Sequence, residues 1–479
     1  MIKFGTGGWR AIIGEEFTKE NIQKLALALC LKMKAEGVAG EGIVAGYDRR
    51  FLSKETVVWA CEIFTKEGIR VRFIDRSSPT PLIMYYVMEH RLHYGFMVTA
   101  SHNPAIYNGI KVFTDGGRDA DEEQTADIER YLEVAKQQYV CDDRETGKMP
   151  TAFYLESVKN KMVEEIHPLN EYLDHILAKI NIEEIKKRDL RVAIDPMYGV
   201  SLTALNTILS HARCTIETIN SQHDTLFGGK MPAPTVDTMR NLQNYVLDRF
   251  CDIGIATDGD ADRLGVIDDK GHFLHPNEIL VILYYYLLKY KGMKGPVVRN
   301  ISTTHMLDKV AAGFGQKCYE VPVGFKYISA KMQETGAVIG GESSGGLTVR
   351  GHINGKDGIY AAALLVEMIA VSGKQLSEIT AEISREYGTI HMKERAYRFT
   401  AEKKAAILKL LMEERRLPEF PFPKARVSYL DGCKVYLENG GWISARFSGT
   451  EPLLRIFCEM ENEEDARRMC RVMAEFLGI

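Results

Sequence analysis

No Cys-x-x-Cys pair occurs anywhere in the chain, and its nine cysteines are scattered and odd in number. That excludes a disulfide framework and a zinc ribbon, and it points to free thiols in a reducing compartment. A long hydrophobic run is also lacking. The longest, Ile279 to Leu288, is broken by three tyrosines and is too short to span a bilayer. The N-terminus carries no apolar signal region, so a cytoplasmic location is expected. Neither sign of charge dominates: the formal net charge is −4, which gives no nucleic-acid or membrane surface. There is no low-complexity tract, and at 26% charged residues the composition is that of an ordinary globular protein. A chain of 479 residues is too long for one core, and three or four domains are expected.

What is present is an alternation of short apolar strands with helices. Strands read at 42–48, 69–74, 94–99 and 109–114, with helices at 19–36, 54–67 and 121–137 between them. Thr18 can cap the first helix. A charged stretch from about 151 to 188 has no strand signal and reads as a helical join between domains. The pattern restarts at Arg191 and again at Gly295, and a hairpin at 265–271 closes the second set. From about 389 short strands and a closing helix (463–477) replace it, with Ala466, Met469, Val472, Met473 and Phe476 on one helix face. The expectation is α/β: three related domains with mixed, largely parallel sheets, and a smaller C-terminal α+β domain. The boundaries fall at 1–155, 156–272, 273–388 and 389–479.

Four stretches carry chemistry. Val98-Thr-Ala-Ser-His-Asn-Pro104 reads as a strand delivering Ser101 into a tight polar turn. A serine exposed on a rigid turn suits a nucleophile, and the same residues also suit a plain surface turn. In Asp258-Gly-Asp-Ala-Asp-Arg263, three carboxylates alternate with small residues. In an extended loop they would point one way and repel one another unless a cation sat between them. Oxygen ligands favour Mg²⁺, Ca²⁺ or Mn²⁺ over zinc, and Mg²⁺ if phosphate completes the shell. An EF-hand is excluded, because Arg263 stands where it needs Gly and Asp269 where it needs Glu. Glu342 and Ser344 in Gly341-Glu-Ser-Ser-Gly-Gly346 could hydrogen-bond vicinal sugar hydroxyls. Arg446-Phe-Ser-Gly-Thr-Glu-Pro452, with Arg455 beyond it, offers hydroxyls, turn N–H groups and guanidiniums to an anion. The other reading of each is a solvated polar loop. Two smaller signals are Phe4-Gly-Thr-Gly-Gly-Trp-Arg10 and the lysine of Val323-Gly-Phe-Lys326.

Together, in this order and over the whole chain, these stretches resemble the α-D-phosphohexomutase family of phosphoglucomutases and phosphomannomutases. The resemblance implies four domains around a central cleft. It implies that Ser101 carries a phosphoryl group and that Asp258, Asp260 and Asp262 bind Mg²⁺ with that group as a further ligand. Glu342 and Ser344 would hold sugar hydroxyls. Arg446, Ser448, Gly449, Thr450 and Arg455 would hold the phosphate that is not reacting. Arg10, His102, Lys111, Arg263 and Lys326 would line the reacting centre.

The implied reaction interconverts hexose 1-phosphate and hexose 6-phosphate through a hexose 1,6-bisphosphate, which also serves as activator. A small sugar phosphate is then the expected partner, with no nucleic acid or membrane. Ser343 stands where glucose-type members often carry a second Glu, and Phe447 stands where Pro is usual. Tyr107-Asn-Gly109 and Gly324-Phe-Lys326 look more like phosphoglucomutases than phosphoglucosamine mutases. Phosphoglucomutase is therefore the leading expectation, with phosphomannomutase or dual specificity as the alternative. Two rival classes are a phosphotransferase that releases hexose bisphosphate and a non-catalytic sugar-phosphate sensor. The intact serine, aspartates and basic residues argue against the sensor.

Overall fold

The computed structural model describes residues 2–5, 8–140, 150–448 and 453–479. They form two compact units. The first comprises residues 1–279 and 344–377, and the second comprises 280–343 and 378–479.

Two sheets build the first unit. One runs in the order Trp9–Ile12, Tyr107–Thr114, Gly95–Val98, Ile43–Tyr47, Val71–Ile74 and Val163–Ile166. The last four strands are mutually parallel, and Tyr107–Thr114 is antiparallel to both of its neighbours in this order. Ile43–Tyr47 is buried along its whole length, which accounts for its unbroken apolar run. Helix Lys19–Ala35 covers one face and starts where Thr18 Oγ1 accepts the N–H of Asn21. The second sheet runs Phe273–Leu274, Leu264–Ile267, Ile253–Thr257, Arg191–Asp195, Thr215–Thr218, parallel over the last three strands. The expected hairpin is formed by its first two strands.

The stretch read as a helical join contributes a strand. Val163–Ile166 pairs in parallel with Val71–Ile74 at the sheet edge. Only Val163 is buried, while Glu164 and Glu165 are exposed. An edge strand with one inward side chain leaves no alternation to read.

In the second unit Val297–Asn300 lies between Cys318–Val321 and Ile339–Gly341, parallel to both. The C-terminal sheet is wholly antiparallel, in the order His391–Arg398, Leu453–Met460, Trp442–Phe447, Cys433–Leu437, Lys424–Ser428. Helix Glu463–Leu477 packs on it through Ala466, Met469, Cys470, Met473, Ala474 and Leu477. The stripe is turned slightly from the expected one, and Val472 and Phe476 are only half-buried at its edge.

Helix Gly358–Ser372 has no counterpart in the sequence reading. Residues Gly358 to Ala370 are all buried, so it shows no amphipathic stripe. The eight described cysteines are all free thiols. Among the described residues no single helix is long and apolar enough to cross a membrane.

Candidate active site

Strand Gly95–Val98 ends at the loop that carries Ser101, and strand Ile253–Thr257 ends at the loop of three aspartates. The two loops meet. Ser101 Oγ donates to Asp258 Oδ2 at 2.8 Å, and the Asp258 Oδ1 atom accepts the N–H of Arg263. Gly259 permits this approach, because a Cβ there would stand 2.9 Å from the Ser101 carbonyl oxygen. Ser101 is not exposed, as a nucleophile on a surface turn would be. Only 1% of it is accessible, because the aspartate loop closes over it. Its φ is +52°, in the left-handed region where a residue bearing a Cβ is strained.

The carboxylates of Asp258, Asp260 and Asp262 converge, with one oxygen of each within 4.8 Å of the others. Convergence comes from a turn and not from extended alternation. Ala261 has φ +64°, and its N–H donates to Asp258 O.

All three aspartates are fully buried. Asp260 Oδ2 accepts from Thr80 Oγ1 and from Lys111 Nζ, both at 2.6 Å. Asp262 Oδ2 accepts from Lys111 Nζ at 2.8 Å and lies 3.0 Å from Lys356 Nζ. Asp260 Oδ1 and Asp262 Oδ1 are buried with no hydrogen-bond donor. Hard anionic oxygens converging in a closed site, two of them without a donor, fit a small divalent cation such as Mg²⁺.

The electrostatics are divided within the cluster. Burial, then the Asp260 and Asp262 charges, holds Asp258 well above the usual carboxylate range. Burial opposes the ionised form of Asp262 too, but Lys111, Lys356 and Arg263 outweigh it and hold that carboxyl well below. Burial likewise works against the Lys111 ammonium, and the Asp260 and Asp262 carboxylates overcome it and keep the group charged. His102 Nδ1 lies 3.4 Å from Ser101 Oγ. Burial, then the Arg263 and Arg10 charges, pushes that imidazole well down, towards its neutral form. Arg10 Nη1 donates to Asn103 Oδ1 at 2.6 Å and so braces the serine loop.

Lys356, Thr80, Asp48 and Arg50 were not singled out in the sequence. Lys356 had a signal. A lysine in Asn354-Gly-Lys-Asp-Gly358, just before a wholly apolar run, is a charge placed where a helix starts in the core. Its stem lies against Gly346, where a Cβ would come within 2.2 Å of it.

Ser344 opens the segment that returns to the first unit, and it is exposed. Glu342, Lys326, Arg446, Ser448 and Arg455 belong to the second unit. Glu342 is not on a loose loop. It is 9% exposed, and its Oε1 accepts from Asn300 Nδ2 and from Gly324 N–H. Val323 N–H donates to Asp431 Oδ2, which lies 3.3 Å from Arg446 Nε. The loop ahead of Lys326 is thus tied both to Glu342 and to the arginine hairpin. Lys326 itself begins helix Phe325–Thr335, 5.1 Å from the Tyr327 ring centre.

Arg446 and Arg455 face each other across the hairpin, in register. Directly opposed residues project from the same sheet face, and each guanidinium has its own carboxylate, Arg446 that of Asp431 and Arg455 that of Glu394, whose Oε1 lies 3.4 Å from Nη1. Ser448 N–H is spent on Leu453 O and closes the hairpin, so it is not part of an anion nest. Gly449 and Thr450 lie outside the described residues.

Comparisons with known proteins place the chain in a family. Models of the phosphoglucomutase/phosphomannomutase α/β/α domains I, II and III match residues 1–139, 170–271 and 275–387, and the C-terminal domain model matches 400–476. The chain is 30% identical over 467 residues to a phosphoglucomutase/phosphomannomutase of Thermococcus kodakarensis, covering 97% of this chain and 96% of that one. It is 26% identical to a phosphoglucosamine/phosphogalactosamine mutase of Sulfurisphaera tokodaii, covering 97% of each. The solved Paramecium phosphoglucomutase parafusin, in its open form, has the same fold, with a TM-score of 0.80 at 20% identity over 99% of this chain and 94% of that one. The chain therefore belongs to the phosphoglucomutase/phosphomannomutase family, with its four-domain α/β architecture. Members of that family are mutases, isomerases that transfer phosphate, and this protein is an enzyme of that class.

Proposed function

We propose that this enzyme interconverts hexose 1-phosphate and hexose 6-phosphate, with glucose the preferred sugar, through a phosphorylated Ser101 and a hexose 1,6-bisphosphate. One observation carries the reading. A buried serine hydroxyl, strained into position, is hydrogen-bonded to one of three convergent carboxylates. In the forward step the Ser101 Oγ–P bond breaks and a P–O bond forms to a sugar hydroxyl, whose proton passes to a basic side chain. The bisphosphate turns end over end, and its other phosphoryl group returns to Ser101 Oγ.

Asp258, Asp260 and Asp262 would hold Mg²⁺, which when bound supplies positive charge beside the transferring group. Arg10, Lys111 and Arg263 offset negative charge at the same centre, and Lys356 does so through Asp262. His102 and Lys326 complete the lining. Glu342 and Ser344 would grip sugar hydroxyls. Arg446, Ser448, Gly449, Thr450 and Arg455 would hold the remote phosphate. The four domains are taken as 1–155, 156–272, 273–388 and 389–479.

A second reading takes an amino sugar as substrate. It is favoured by the name of the Sulfurisphaera relative, a phosphoglucosamine/phosphogalactosamine mutase. The preference for glucose rests on Tyr107-Asn-Gly109 and Gly324-Phe-Lys326.

A ³¹P NMR time course separates the readings. The protein, Mg²⁺ and catalytic hexose bisphosphate are mixed in turn with the 1-phosphates of glucose, mannose, glucosamine and N-acetylglucosamine. Fastest conversion of glucose 1-phosphate to the 6-phosphate is expected. Fastest conversion of glucosamine 1-phosphate moves the assignment to the second reading. Release of bisphosphate as the sole product replaces the mutase with a transferase.

A further inference from the structure

Arg50 lies in the turn after strand Ile43–Tyr47, and its side chain is wholly buried. Its Nη1 donates to Pro104 O and Tyr107 O, each at 3.0 Å. Its Nη2 donates to Ser101 O at 2.6 Å and to Asn103 O at 2.7 Å. Both hydrogens of each terminal nitrogen are accounted for by carbonyl oxygens of one loop, the loop that carries Ser101. Its Nε lies 3.3 Å from Asp48 Oδ2, and the Phe227 ring stands 4.9 Å away.

A buried charge is costly unless it is paired and fully hydrogen-bonded. Here four carbonyl oxygens take the terminal N–H groups and the Asp48 carboxylate pairs the charge, although Nε makes no hydrogen bond, and the guanidinium in turn dictates where those carbonyls stand. Asp48 works on the same loop from the other side. Its Oδ2 accepts from Thr99 Oγ1 at 2.7 Å, and Thr99 Oγ1 accepts the Ser101 N–H at 2.8 Å. Its Oδ1 accepts from Arg50 N–H and from Ser53 Oγ. Ser101 is therefore gripped at its N–H through Asp48 and Thr99, and at its carbonyl through Arg50. The left-handed φ of Ser101 needs such a grip, since a strained backbone persists only where its surroundings over-determine it.

The geometry points to Arg50, anchored by Asp48, as the positioning residue that holds Ser101 in its left-handed conformation and so fixes the line along which Oγ meets a phosphoryl group. The inference rests on the phosphoryl-transfer reading above and adds the device that aims the nucleophile. A lysine cannot replace this arginine. Its three N–H groups radiate from one atom and cannot span four carbonyls that need a planar fork.

The test uses the full-length protein with Mg²⁺ and glucose 1,6-bisphosphate. Intact mass follows the gain of one phosphoryl group, steady-state rates give kcat and KM, and hydrogen exchange follows the amides of 101–107. Arg50→Lys is expected to remain folded, keep KM near that of the wild type, and take up phosphoryl about a hundredfold more slowly, as a misaimed reacting atom does. Exchange in 101–107 should rise. In Arg50→Ala, methylguanidinium should restore part of the rate, and ethylamine should not.

Wild-type phosphorylation in Arg50→Lys overturns the inference. So does a rate loss that merely tracks the folded fraction, with no split between kcat and KM and no rescue. If Arg50→Ala does not fold, Asp48→Asn takes its place, read by the kcat–KM split and by exchange in the loop. If the wild-type protein itself takes up no phosphoryl group, it is the mutase reading that fails. Exchange in 101–107 then still decides the role of Arg50, and unchanged exchange in Arg50→Lys overturns it.

Discussion

Ser101 combines two costs, burial of its hydroxyl and a positive φ, and its hydrogen bond to Asp258 offsets the first. Ser101→Ala removes one donor from Asp258, a change of roughly 1 kcal/mol in stability, and should leave the fold intact. Turnover of hexose phosphate should vanish, and mass spectrometry should find no phosphoryl group on the variant. Near-wild-type turnover would remove Ser101 from the reaction.

At the same scale, His305 gives a pH signature unrelated to catalysis. Lys434 Nζ lies 3.0 Å from His305 Nε2, and burial, then the Arg299 charge, pushes that imidazole down to about 3. An unfolded chain binds a proton on this imidazole as pH falls through about 6.5, and the folded chain does not until far lower. Folded stability should therefore fall as pH drops from about 6.5 towards 3. Urea midpoints measured at pH 7 and pH 5 should differ less in His305→Gln than in the wild type. An equal difference in both would exclude His305 as a source of the acid sensitivity.

The C-terminal hairpin shows how register alone sets two cationic residues on one sheet face. Arg446 and Arg455 stand opposite each other on one sheet face, each with a carboxylate beside it, Asp431 and Glu394 respectively. Arg446→Ala should weaken binding of sugar phosphate and of bisphosphate by roughly 1.5–3 kcal/mol, the value of a charge-assisted pair. Isothermal titration checks this, and unchanged affinity would take Arg446 out of the phosphate grip.

Elements also mark where the sequence could be read and where it could not. Short apolar strands feeding Ser101 and Asp258 were legible, because strands buried on both faces write unbroken apolar runs. The pairing that sets the two arginines face to face was not, since register across a turn leaves no local trace. Val163–Ile166 was hidden by its two outward glutamates, and helix Gly358–Ser372 by having no polar side. Asp48 and Arg50 were hidden for a different reason. What they do is read from backbone carbonyls fifty residues away, and no spacing of residue types encodes that.

For the whole molecule the division of the chain matters more than its length. The first unit is made from 1–279 and from the later segment 344–377. Helix Gly358–Ser372 in that segment packs on helices Ile182–Lys186 and Leu202–His211 and on strands Ile253–Thr257 and Leu264–Ile267. Its buried Ile359, Leu364, Leu365, Val366, Met368 and Ile369 represent on the order of 10 kcal/mol of apolar burial, comparable to the entire stability of a domain. A fragment ending at residue 279 should therefore fail to fold as a unit. Limited proteolysis should degrade it within the second sheet while sparing the full-length chain. A protease-resistant second sheet in the fragment would show that the helix is dispensable.

The same division has a consequence for how the enzyme comes into being. A ribosome delivers the serine and the three aspartates early, yet Lys356, which lies 3.0 Å from Asp262, emerges only after the first segment of the other unit, 280–343, has been synthesised. Until then the acidic cluster lacks one of its cations and the second sheet lacks its covering helix. Completion of the site therefore waits on the later segment, and a chain shorter than residue 372 leaves the apolar face of the second sheet without the helix that covers it.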